Sequence, residues 1–176
     1  FTYTVSDGEL MDTATVEVTV TEVVFRVYVP LVLSNYATAP DLVVDSVTAT
    51  TGGVQVVIGN QGYAAAKDFW VDVYINPDTA PISVNQLWSD LGQNGLAWGV
   101  TEMLQPGEVI TLTVGDLFYS TEWSNMSWPL AAGTPVYAQV DSARSDTGYG
   151  SVLEIHEIIG SAYDNNIRNT ISTSAP

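Results

Sequence analysis

Residues 41–76 read DLVVDSVTATTGGVQVVIGNQGYAAAKDFWVDVYIN. Three β-prone runs stand out: Asp41 to Thr50, Val54 to Gly59 and Asp68 to Asn76, parted by Gly52-Gly53 and Asn60-Gln61-Gly62. Each run is rich in β-branched and aromatic residues, and the punctuating residues tolerate tight turns, which is the signature of short strands. The same signal recurs at Val109 to Val114, Val136 to Ala143 and Ser151 to Ile159, with Gln105-Pro-Gly107 and Ala132-Gly-Thr-Pro135 as turns. This spacing predicts an all-β, antiparallel sandwich. One stretch breaks the rhythm. Ser83-Val-Asn-Gln86 has the form of a capping box, Val84, Leu87, Trp88 and Leu91 follow helical spacing, and Gly92 stands where a helix would stop. A short inserted helix packed by Trp88 is expected there, with Trp70 in the core.

Upstream of the sandwich the chain begins with a different pattern. Phe1-Thr-Tyr-Thr-Val-Ser alternates, turns at Asp7-Gly8 and alternates again over Thr13 to Val20, which reads as a hairpin. Two strands alone are marginal in water, so this hairpin needs a partner. The apolar residues sit at even positions along Val16, Val18 and Val20, then at odd ones along Val23, Phe25, Val27, Val29 and Leu31. Such a change of phase requires a bulge or a crossing between sheets. Val23 to Leu33 is apolar on both faces and interrupted by Pro30, so it should pair in a sheet, at an edge, in cis or in trans. These residues, Val16 to Leu31, are the candidate strand donor. Two regions follow: an N-terminal hairpin and extended strand over 1–34, and a sandwich over 35–176.

Composition excludes several functions. The 176 residues carry 20 Asp and Glu against 4 Lys and Arg, a net charge of −16, with one His and no Cys. That balance removes the attraction on which nucleic-acid binding depends and argues against anionic membranes. Thiol chemistry and Cys-ligated metals are excluded, and one His cannot build a multi-His centre. No run approaches the ~20 apolar residues of a spanning helix. The chain does not begin with Met, which is expected of a mature or excised segment.

From Pro40 onward the sequence resembles the CARDB family, cell-adhesion-related modules of bacterial surfaces with an Ig-like sandwich. The resemblance is carried by Pro40-Asp-Leu-Val-Val44, Val56-Val-Ile-Gly-Asn-Gln-Gly62, Phe69-Trp-Val-Asp-Val-Tyr-Ile75, Gln105-Pro-Gly107, Val140-Asp-Ser142, Val152-Leu-Glu154 and Asp164-Asn-Asn166, in that order. The first twenty or so residues resemble the closing hairpin of a cadherin-like repeat. The resemblance implies a non-enzymatic, surface-displayed protein and supplies no catalytic residues. It departs from the family at the helix-bearing insertion and at the long segment from Asp116 to Leu130.

Candidate sites are then few. His156 is expected on the solvent face of a strand, and no Gly-x-Ser-x-Gly elbow accompanies it. Asp141, Asp146, Glu154 and Asp164, with Asn165 and Asn166, offer hard oxygen donors of the kind calcium takes, although without the spacing of an EF-hand loop. Trp98, Trp123 and Trp128 fall in expected loops, where flat indoles could stack on a glycan. The leading expectation is an extracellular structural or adhesive protein of the bacterial surface. It would form a homopolymer, or join other surface proteins, through strand complementation. The alternative is a glycan- or calcium-binding module of a larger surface protein.

Overall fold

A computed structural model describes residues 1–19, 38–160 and 165–175. The chain divides into two units, Phe1–Ser34 and Asn35–Pro176. In the first unit, β1 (Thr2–Ser6) and β2 (Met11–Thr15) pair antiparallel, with Tyr3 opposite Ala14 and Val5 opposite Asp12. The turn is fastened by Asp7, whose Oδ1 accepts the N–H groups of Glu9 and Leu10 at 3.0 and 2.8 Å. Gly8 takes φ +102°, a conformation that glycine adopts without strain.

The second unit is an antiparallel β-sandwich. One sheet is ordered β3 (Leu42–Thr50), β4 (Gly53–Asn60), β7 (Val109–Thr113). The other is ordered β6 (Asn94–Val100), β5 (Phe69–Ile75), β8 (Pro135–Val140), β9 (Ile167–Ile171). Alternation decides what is buried between them. Val54, Val56, Ile58 and Leu112 come from the first sheet, and Phe69, Val71, Val73, Leu96, Trp98, Val136, Ala138 and Val140 from the second, forming one core. A bulge between Val44 and Ser46 in β3 lets Leu42 and Val44 and then Val47 and Ala49 all face that core.

Three expectations are corrected. Ser151 to Ile159 is not a strand: it runs through turns into a one-turn helix, α2 (Ile155–Ile158). Its apolar side chains do not alternate between core and solvent, since the adjacent Ile158 and Ile159 are both exposed. The inserted helix α1 is confined to Trp88–Leu91. Gln86 does reach back to the N–H groups of Ile82 and Ser83, at 2.8 and 3.0 Å, but the chain there is a turn, and Asp90 instead accepts the N–H of Leu87 that opens the helix. Finally, β6 and β9 are strands that the sequence pattern did not announce.

The insertion roofs the outer face of the four-stranded sheet. Beneath it Asp72, Tyr74 and Gln139 are buried although they point away from the core. The Tyr74 hydroxyl lies 2.6 Å from the Gln86 carbonyl and 2.8 Å from Gln139 Oε1, and Gln139 Nε2 donates to the Ser83 carbonyl at 3.1 Å. Burial holds the Tyr74 phenol above its ordinary range.

Candidate functional site

A polar cluster lies where the start of β3 meets α2 and the residues before β9. Glu154 precedes α2 and its carboxyl group is fully buried. Oε2 accepts the N–H of Leu42, and Oε1 accepts the Asn166 side-chain amide at 2.5 Å. Removal from water pushes its pKa up to about 9, against the lowering effect of those two hydrogen bonds. Asp41 stands beside it, its Oδ1 accepting Asn165 Nδ2 at 3.1 Å and lying 3.7 Å from His156 Nδ1. Asp41, Glu154 and His156 each offer a ligand atom within 4.8 Å of the others. Two further atoms, His156 Nδ1 and Asn165 Oδ1, are buried without a hydrogen-bond partner. His156 is therefore no solvent-facing strand residue: its side chain is 13% exposed and turned to Asp41.

The four expected calcium ligands do not converge as a set. Asp141 takes φ +51°, and its two oxygens accept the N–H groups of Ser151 and Val152, both at 2.8 Å. Burial pushes it up to about 6, with those hydrogen bonds opposing. Its geometry is that of a loop pin. Asp146 is exposed and paired with Arg144 at 2.8 Å. Asp164 lies outside the described residues. Glu154 alone of the four joins the metal-competent triad, in the company of Asp41 and His156. No local spacing signals that grouping, because Asp41 precedes Glu154 by almost the length of the sandwich.

Of the three loop tryptophans expected at a ligand, Trp98 is the clear correction. It sits in β6 with no exposure, its Nε1–H donating to the Thr113 carbonyl at 3.1 Å and its ring edge-on to Tyr119 at 5.6 Å and 63°. A residue so enclosed meets no glycan. Trp123 and Trp128 are exposed, at 55% and 37%. Trp123 joins Trp70 and Trp88, both half-buried rather than core, around a cleft of about 420 Å³ above the outer face of the four-stranded sheet. Trp128 is not among the residues lining that cleft.

All ten strand residues of the N-terminal hairpin are exposed, among them Tyr3, Val5 and Met11. Of the candidate donor residues, Val16 is half-buried and exchanges main-chain hydrogen bonds with Phe1, at 2.9 and 3.0 Å. Val18 is 64% exposed. Val20, Val23, Phe25, Val27, Val29 and Leu31 lie outside the described residues.

No protein-family model and no curated protein matches this chain. Among solved structures it resembles the CARDB domain of the PF1109 protein from Pyrococcus furiosus, determined in complex with di-metal ions. The two share 16% identity over 78% of this chain and 97% of that one, with a TM-score of 0.39. The sandwich assignment here rests on the strand pairing and the shared core described above.

Proposed function

We propose that this chain is a non-enzymatic structural and adhesive module of the bacterial cell surface, joined to identical subunits by β-strand addition. The observation that carries this reading is the hairpin: a two-stranded ribbon whose strand residues are all exposed and include Tyr3, Val5 and Met11. Such a ribbon is marginal by itself; pairing with a further strand satisfies its open edge, while alternate side chains such as Tyr3 and Val5 seat in pockets of the acceptor. The sandwich offers acceptors of the matching kind. Strands β7 and β9 end their sheets and carry Val109 and Ile171 at 62% and 59% exposure. The free edge of β6, by contrast, is met by main-chain bonds from Phe118, Ser120 and Asn125. A head-to-tail contact of this type does not close and generates a filament. Electron microscopy and sedimentation of the full chain, beside a Tyr3→Lys, Val5→Lys double variant, test it. Polymers are expected in the wild type and lost in the variant, whose circular dichroism stays that of the folded sandwich. A full chain that remains monomeric at high concentration overturns the reading.

A second reading places a divalent cation at Asp41, Glu154 and His156. It is favoured by the two buried, unpartnered atoms, His156 Nδ1 and Asn165 Oδ1, beside two carboxyl groups. One imidazole among oxygen donors suits zinc or manganese as well as calcium. Calorimetric titration of EDTA-treated protein with each ion should give saturable binding that His156→Ala weakens at least tenfold, as loss of a ligand does. Titrations without heat in the wild type refute it.

A further inference from the structure

The outer face of β6 is built from small residues, Gly95, Ala97 and Gly99, and the reason lies in the indoles above them. A Cβ at Gly95 would collide with the Trp88 ring, and one at Gly99 would press on the Trp70 ring at 3.3 Å. Trp88 and Trp70 thus lie close over the two ends of the strand, and Ala97 lines the cleft with them. Trp123 adds a third indole. Its carbonyl accepts the Trp88 Nε1–H at 2.8 Å, while Asp72 Oδ2 accepts the Trp88 main-chain N–H at 3.1 Å, so Trp88 is anchored at its indole and at its main chain.

The lining of this cleft carries more negative charge than positive. Asp72 contributes to its lining yet is only 3% exposed, and among the described residues no Lys or Arg pairs with it: their ion pairs are Lys67–Asp68 and Arg144–Asp146. Glu122 adds a second carboxylate, and the one basic lining residue, Arg144, is engaged by Asp146 at 2.8 Å. Burial raises Asp72 to about 6, the Trp88 N–H and the Ser142 hydroxyl lower it, and Asp90 raises it again, so it is ionised at neutral pH. A carboxylate withdrawn from water without a protein cation is costly, and indole faces attract positive charge most strongly when that charge is weakly hydrated. A neutral sugar would use the indoles and leave the carboxylate uncompensated. A small metal ion would hold its water too tightly to meet the rings.

We propose that the Trp70–Trp88–Trp123 cleft binds a small organic cation of the quaternary-ammonium class, its charge against the indoles and facing Asp72. The test is intrinsic tryptophan fluorescence of the full chain titrated with tetramethylammonium and with choline, and with glucose and a glucan oligosaccharide for comparison. Saturable quenching by both cations and none by the sugars is expected. Trp123→Ala should weaken cation binding about tenfold, on the scale of a partly desolvated cation–π contact, and Asp72→Asn by a similar factor through loss of the facing charge. Trp123 is 55% exposed, so its replacement leaves the fold intact, and Asn at position 72 keeps an oxygen for the Trp88 N–H. The proposal is overturned if the cations do not saturate, if neither variant changes their binding, or if the oligosaccharide binds and Asp72→Asn retains that binding.

Discussion

Replacement of Glu154 by alanine is expected to destabilise the sandwich by about 3 kcal/mol, and to lower its thermal midpoint by about 10 °C, the conversion for a domain of this size. Glu154 is fully buried and links residues far apart in sequence, accepting from Leu42 at the start of β3 and from Asn166 just before β9. Its removal leaves those two donors facing a cavity, so desolvation and packing losses combine. Glu154→Gln keeps the volume but turns one accepting oxygen into an amide that faces an N–H, and should cost less than alanine while remaining measurable.

The same residue sets a pH dependence, best measured in EDTA. Its folded pKa of about 9 stands above the ordinary 4.5, so the folded state holds a proton that the unfolded state gives up between those values. Stability from this group is fully present below 4.5 and is lost as pH rises through about 9. Asp72 and Asp141, both raised from 3.8 to about 6, act in the same direction over a lower window. Urea midpoints should therefore fall from mildly acid to alkaline pH. Repulsion within a chain of net charge −16 works in the same sense, and Glu154→Gln separates the two causes by flattening only the buried group's share. A wild-type midpoint that climbs with pH would falsify this assignment.

Much of the fold was legible because five strands announce themselves locally. The runs at Asp41 to Thr50, Val54 to Gly59, Asp68 to Asn76, Val109 to Val114 and Val136 to Ala143 overlap β3, β4, β5, β7 and β8. What was not legible has long-range causes. Gly95 and Gly99 make β6 look like a loop, yet they are glycines because Trp88 and Trp70 occupy the space a side chain would need. Strand β9, Ile-Arg-Asn-Thr-Ile, is an edge with little to bury and so little pattern to read. Over Leu153 to Ile159 the apolar residues fit two periods in a short window. The Glu154–Glu157 pair, with Glu157 accepting the Glu154 N–H at 2.8 Å, was the local sign of a helix start. In the Asp41–Glu154–His156 grouping only Glu154 and His156 are close in sequence, and Asp41 is brought to them by the sandwich.

The tryptophans give the sharpest separation between a residue that holds the fold and one free to meet a ligand. Trp98→Ala is expected to cost about 4 kcal/mol, and Trp123→Ala less than about 0.5 kcal/mol, in urea unfolding followed by far-UV circular dichroism. Trp98 has no exposure and fills the core from the inner face of β6, while its indole N–H reaches the Thr113 carbonyl at the end of β7, in the opposite sheet. Truncation empties that volume, leaves the carbonyl without its donor and removes the edge-on partner of Tyr119. Trp98→Phe should recover most of the packing but not the hydrogen bond, so an intermediate loss of about 1–2 kcal/mol is expected. Trp123 lends its side chain mainly to the cleft, and the bond that fixes Trp88 uses its main-chain carbonyl, which alanine retains. Equal midpoints for Trp98→Ala and wild type would show that β6 does not carry the core and would return Trp98 to a surface loop.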